Sequence, residues 1–91
     1  MKIVINRCYG GFSLSEAAYK FLKIPWDGYG YKFNHEDRSN PQLVKCVEKL
    51  GKLANGKYAE LNVVEIPDGT EYQIEEYDGV EWVAEKHKTW P

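Results

Sequence analysis

Lys2-Ile3-Val4-Ile5-Asn6-Arg7-Cys8-Tyr9-Gly10-Gly11-Phe12-Ser13-Leu14-Ser15-Glu16 is the stretch whose reading decides the fold class. Its first seven residues are β-branched and apolar at the centre and have no helical period, which predicts a strand. The consecutive Ile3, Val4 and Ile5 predict that this strand is central in its sheet. Tyr9-Gly10-Gly11-Phe12 breaks it. Ser13-Leu14-Ser15-Glu16 then fits a capping box, with Ser13 as the cap and Glu16 reaching back to the Ser13 amide. Leu14, Ala17, Ala18, Phe21 and Leu22 follow at helical spacing and form an amphipathic stripe. Phe12 is placed as the staple before the cap, and Pro25 ends the helix.

Working outward, residues 25–40 are the least regular segment. Tyr29, Tyr31 and Phe33 alternate and allow a short strand, while Gly28, Gly30 and the polar tail favour a loop. Asn40-Pro41 starts a second helix, with Asn40 as cap and Pro41 at the first helical position. Leu43, Val44, Val47, Leu50, Leu53 and Ala54 supply its apolar stripe, and Asn55-Gly56 stops it. Residues 59–66 read as a strand, and Pro67-Asp68-Gly69-Thr70 is turn chemistry. Residues 72–77 and 80–85 alternate around Asp78-Gly79, a strong hairpin signal because a type I′ turn needs positive φ at both centres. The expected fold is a single α+β domain, residues 1–91. It has a small, mainly antiparallel sheet of about four strands, two helices packed on one face and a C-terminal Asp-Gly hairpin. The last three strands are expected to form a meander.

Ninety-one residues suit one domain with a thin core, in which seven Tyr and three Trp provide large rings. No apolar run is long enough for a membrane span, and the N-terminus lacks the long apolar stretch of a signal peptide. The expected location is therefore the cytoplasm, with no membrane partner. Cys8 and Cys46 do not make a disulfide framework and read as small buried hydrophobes. The net charge of −2 hides a division. Residues 1–57 carry ten Lys/Arg and five Asp/Glu, whereas residues 58–91 carry two Lys and nine Asp/Glu. The two halves either cancel across the surface or form a dipole that steers a charged partner. A pI near 5.7 argues against a basic nucleic-acid binder.

Two places carry candidate chemistry. The first is the turn Asn6, Arg7, Cys8, Tyr9, Gly10, Gly11 and Ser13 at the head of the first helix. Exposed helix amides, two glycines and the Arg7 guanidinium there suit an anion, although the glycines also serve as a plain turn. Neither a P-loop nor a dinucleotide fingerprint is present. Cys8 near a helix start has the placement of a nucleophile if His35 or His87 lies beside it. The second place is the hairpin, with Glu76, Tyr77, Asp78, Glu81 and, beyond it, His87. A two-residue turn sets Glu76 opposite Glu81, and like charges in that position need solvent, an internal cation such as Arg7, or a metal. His35 and His87 lack metal-ligand spacing, so the sequence names no metal and no cofactor. Trp26, Tyr29, Tyr31 and Phe33 with Lys32 form an aromatic and basic loop able to stack bases, or a rigid lid. Trp90 reads as an anchor for the chain end.

Val4-Ile5-Asn6-Arg7-Cys8-Tyr9-Gly10-Gly11-Phe12-Ser13-Leu14-Ser15 resembles a family of small uncharacterised proteins of bacteriophages and prophages. The resemblance returns in residues 51–59 and 64–67, and most clearly in residues 74–90, while residues 24–40 show no family pattern. It implies a phage origin, a bacterial host cytoplasm and action by binding, and brings no activity with it. The leading expectation is a non-catalytic binding protein. It would sequester a phosphate-bearing small molecule or block a host defence protein, with no cofactor. The rivals are a small hydrolase using Cys8 or the Glu76/Glu81 pair, and an acidic nucleic-acid mimic presenting residues 58–85. A homodimer would be the commonest assembly for such a protein.

Overall fold

The structure, a computed structural model, describes residues 1–85. Four strands and two helices run in the order β1 (Lys2–Asn6), α1 (Glu16–Leu22), α2 (Pro41–Leu50), β2 (Leu61–Glu65), β3 (Tyr72–Tyr77) and β4 (Val80–Glu85). Short 3-10 turns at His35–Asp37 and Gly51–Ala54 flank α2. The α+β class and the antiparallel pairing agree with expectation. The partnering of the strands does not follow the expected meander. β2 returns to pair with β1, and β3 and β4 form a separate hairpin. No helix among the described residues is long and apolar enough to cross a membrane.

The core sits between the β1–β2 ladder and the helices. Val4, Phe12, Leu14, Ala18, Tyr19, Leu43, Val44, Cys46, Val47, Ala54 and Leu61 pack into one cluster. Asn40 caps α2 as expected, its side chain accepting from Gln42 N at 2.8 Å and Leu43 N at 3.3 Å, with Pro41 in the first turn. The α2 helix ends earlier than the sequence suggests. Gly51, at φ 57, caps it, the chain tightens into a 3-10 turn, and Leu53 faces solvent instead of the core.

The start of α1 also differs. Ser15, not Ser13, is the cap, and its side chain accepts from Ala18 N at 3.1 Å. Ser13 is held extended because Leu14 bridges Asn55, Gly56 N donates to Ser13 O at 2.9 Å and Ser15 N donates to Ala54 O at 3.0 Å. The helix begins two residues later, so Tyr19 is buried where Ala17 was expected. Lys23, in the left-handed region at φ 59, ends it before Pro25.

The hairpin register is the one that the turn dictates: Tyr77 faces Val80, Glu76 faces Glu81, Glu75 faces Trp82 and Ile74 faces Val83. Asp78 and Gly79 have φ of 52 and 91, as a type I′ turn requires. Gly79 is also buried under the Tyr9–Gly11 turn, where a Cβ would stand 2.3 Å from Tyr9 O and 2.7 Å from Gly11 N. Gly79→Ala is therefore expected to cost about 2–3 kcal/mol, a fall in Tm of roughly 10–20 °C. Asp78→Gly, at a position open to glycine, should move Tm by only a few degrees, which thermal unfolding followed by circular dichroism would show.

Candidate functional site

Alternate residues of an antiparallel strand turn their backbone groups to opposite neighbours. On β1, Met1 O and Arg7 N face the β2 side, pairing with Ile66 N at 2.9 Å and Glu60 O at 2.8 Å. Val4 and Asn6 therefore face the other way, where a central strand would have a neighbour. Among the described residues, no strand ladder runs along that edge. Val4 N donates to Arg38 O at 2.9 Å, the Arg38 guanidinium donates to Val4 O at 3.4 Å, and Asn6 N donates to Glu81 Oε1 at 2.8 Å. One arginine and one glutamate stand in for the missing strand, which explains how β1 is buried on both sides without being central in a ladder.

The Arg38–Glu81 pair is bidentate, with Nη1 to Oε1 at 2.5 Å and Nη2 to Oε2 at 2.9 Å. Both side chains are almost wholly buried, at 3% and 2% exposure. The guanidinium lies over the Phe12 ring, 3.5 Å from its centroid. Charge-assisted bonds to both carboxylate oxygens, one backbone amide and an aromatic face meet most of what desolvation removes. The cation that satisfies Glu81 is thus Arg38 from the 25–40 segment and not Arg7, which is exposed. Glu76 stays at the surface, and His35 Nε2 lies 3.8 Å from its Oε1 and 3.4 Å from Glu81 Oε2.

Asn6 is wholly buried and acts as a structural hub. Its Nδ2 donates to Gly79 O at 2.7 Å and Cys8 O at 2.6 Å, and its Oδ1 accepts from Glu60 N at 2.8 Å and Cys8 N at 3.3 Å. It ties the turn, the hairpin and the approach to β2 together. Gly10 packs against Tyr58, where a Cβ would meet the Tyr58 Cβ at 2.0 Å. Two cavities flank the Gly10–Gly11 turn. One, of about 540 Å³, is lined by Gly10, Gly11, Phe12, Tyr31, Asn34, His35, Arg38, Glu76 and Glu81. The other, of about 200 Å³, is lined by Gly10, Ser13, Gly28, Tyr29, Tyr31, Lys57 and Tyr58. Arg7, Cys8, Tyr9, Tyr77 and Asp78 line neither cavity. His87 lies outside the described residues.

The seven-residue α1 begins under the Ser15 cap, so the open helix amides expected behind Ser13 are not part of this surface. The 25–40 segment is no strand. Asp27 organises it: Oδ1 accepts from Tyr29 N at 2.8 Å and Gly30 N at 2.7 Å, and Oδ2 accepts from the Tyr19 hydroxyl at 2.9 Å. Those amides, Gly30 first, lower the Asp27 pKa, while burial raises that of Tyr19. The loop displays Tyr29 and Tyr31, stacked at 6.3 Å. Burial also pushes the Cys46 thiol up to about 11, leaving it protonated at neutral pH. Sequence reasoning passed over Arg38, Lys57 and Tyr58. Only the unmet charge of Glu76 and Glu81 pointed to a cation, and nothing local singled out Arg38. Comparison with protein-family models, with curated proteins and with solved structures found no match.

Glu81→Ala strands a buried guanidinium and an Asn6 amide, and urea unfolding should show a loss of about 3–5 kcal/mol. The double variant Arg38→Met/Glu81→Leu removes the stranded charge but not the orphaned amide. It should recover part of the loss and remain about 1–3 kcal/mol below the wild type. A double variant as stable as the parent would refute the carboxylate's role as an edge acceptor. The folded-state pKa of Asp27 is depressed, so its contribution holds at and above the ordinary aspartate value of 3.8 and is lost as pH falls through the folded value. Asp27→Ala should loosen the loop at neutral pH, with the Tyr29 and Gly30 amide signals shifting in NMR spectra. The wild type should show the same shifts only below pH 3.8.

Proposed function

We propose that this chain is a non-catalytic binding protein that docks a partner protein on the tyrosine-rich surface around Gly10–Gly11. The observation that carries this reading is the display of Tyr9, Tyr29, Tyr31, Tyr58 and Tyr77, each between 62% and 75% exposed, on segments that meet at that turn. Gly10 touches Tyr58, Gly79 touches Tyr9, Tyr31 shares both cavities with Gly10, and Tyr29 stacks on Tyr31. Tyrosine offers large amphipathic contact area at small entropic cost, the chemistry of interface hot spots and antibody paratopes. The surface is held by close backbone contacts and the Asn6 hub, so little ordering is left for the moment of binding. The resemblance of residues 4–15 and 74–90 to small phage and prophage proteins supports a host protein as the partner, with binding as the means of blocking it.

A phosphate-bearing small molecule is the second reading, favoured by Lys57 and three tyrosines around the smaller cavity. That cavity, about 200 Å³, is below the roughly 300–1,000 Å³ of sites for drug-sized ligands. It accommodates a phosphate or one edge of a nucleotide, which is why the protein partner is preferred.

Tyr29→Ala, Tyr31→Ala and Tyr58→Ala remove exposed rings and should each keep stability within about 0.5 kcal/mol of the wild type. The triple variant should lose more than tenfold of any host protein that the wild type captures. Equal capture by the folded triple variant would overturn the docking surface. A thermal shift with a nucleotide panel, abolished by Lys57→Ala, would select the second reading instead.

A further inference from the structure

His35, Glu76 and Glu81 come from three separate elements, the 3-10 turn before α2, β3 and β4, and they converge on the larger cavity. His35 Nε2 is 3.4 Å from Glu81 Oε2 and 3.8 Å from Glu76 Oε1, and one ligand atom from each residue lies within 4.8 Å of the others. Ligands at about 2.0–2.2 Å from a tetrahedral zinc ion stand roughly 3.3–3.6 Å apart, so small rotations of two half-exposed side chains close the set. Imidazole nitrogen with carboxylate oxygens suits a first-row divalent ion.

The charge distribution favours an ion there. Glu76 and Glu81 are directly opposite on the hairpin, an unfavourable placement for two carboxylates. Arg38 neutralises Glu81 alone, and no Lys or Arg among the described residues lies within ion-pair distance of Glu76. Glu81 Oε2 accepts one bond from Arg38 and keeps a lone pair for a metal. Arg38, which holds Glu81 from behind, also lines this cavity.

The geometry points to a divalent metal site, of zinc class, held by His35, Glu76 and Glu81, with the open positions facing the cavity. The ion would lock the 25–40 segment to the hairpin, bringing together parts of the chain that are distant in sequence. This site borders the proposed docking surface at Tyr31 but does not depend on that proposal.

The test is calorimetric titration of the metal-free protein with zinc ion alone, joined to thermal unfolding with and without zinc. The wild type should bind one equivalent, and Tm should rise with zinc concentration above Kd. His35→Gln and Glu76→Gln alter half-exposed side chains. Each should keep the metal-free Tm within about 2 °C, a surface-substitution effect, and weaken binding at least tenfold. His87→Gln, at the chain's other histidine, should bind as the wild type does. Absence of saturable binding by the wild type would overturn the site. So would unchanged affinity in folded His35→Gln and Glu76→Gln, or loss of binding in His87→Gln.

Discussion

Arg38 and Glu81 meet in the interior because β1 has a backbone edge that no strand among the described residues covers. A buried amide or carbonyl without a partner costs about as much as a lost hydrogen bond or more. The Val4 and Asn6 groups on that edge are met by the Arg38 carbonyl, the Arg38 guanidinium and the Glu81 carboxylate. The pair therefore does more than neutralise itself. It fastens the 25–40 segment and the C-terminal hairpin to the same strand. Replacing such a pair with apolar residues is often harmless elsewhere. Here the carboxylate is also a backbone acceptor, so an apolar substitute leaves the edge open.

From this constraint the rest of the surface follows. Glu81 is pulled inward close to the hairpin turn, which carries Gly79 under the Tyr9–Gly11 turn and leaves Glu76, across the ladder, facing His35. Phe12 is held beneath the guanidinium, so the turn before it is fixed from below as well. Tyr9 and Tyr77 are then presented from either side of that junction, and Tyr58 from beneath Gly10. The division between a basic first half and an acidic second half has its buried expression in one pair, a cation from the first half and an anion from the second.

The hairpin was legible in the sequence because an Asp-Gly turn imposes both its conformation and its register, down to Glu76 opposite Glu81. The start of α2 was legible because Asn40 and Pro41 each act locally. The start of α1 was not, since Ser13 and Ser15 are both competent caps and the choice is made by a bridge to Asn55, forty-one positions away. The same non-locality hid the partner of Glu81. The like-charged pair was readable from its register, but its burial was not, and Arg38 sits in a polar stretch without periodicity. Ile3-Val4-Ile5 reported burial on both faces, which in most sheets means a central strand. Here side chains complete the edge, and no periodic pattern records that. The ligand-binding expectation at residues 6–13 named the turn between the two cavities and could not show that Asn6 is a scaffold or that Arg7 points to solvent.

The central claim is that Glu81 serves as the hydrogen-bond acceptor on the open edge of β1. Native-state hydrogen exchange of the Asn6 amide measures it most directly. The account predicts that this amide exchanges only through global unfolding, with the same opening free energy as Ile5 in the β1–β2 ladder. It also predicts that Glu81→Gln, which keeps an acceptor oxygen but removes the charge, lowers both together. An Asn6 amide that exchanges through local opening, as an exposed edge would while Ile5 stays protected, would contradict it.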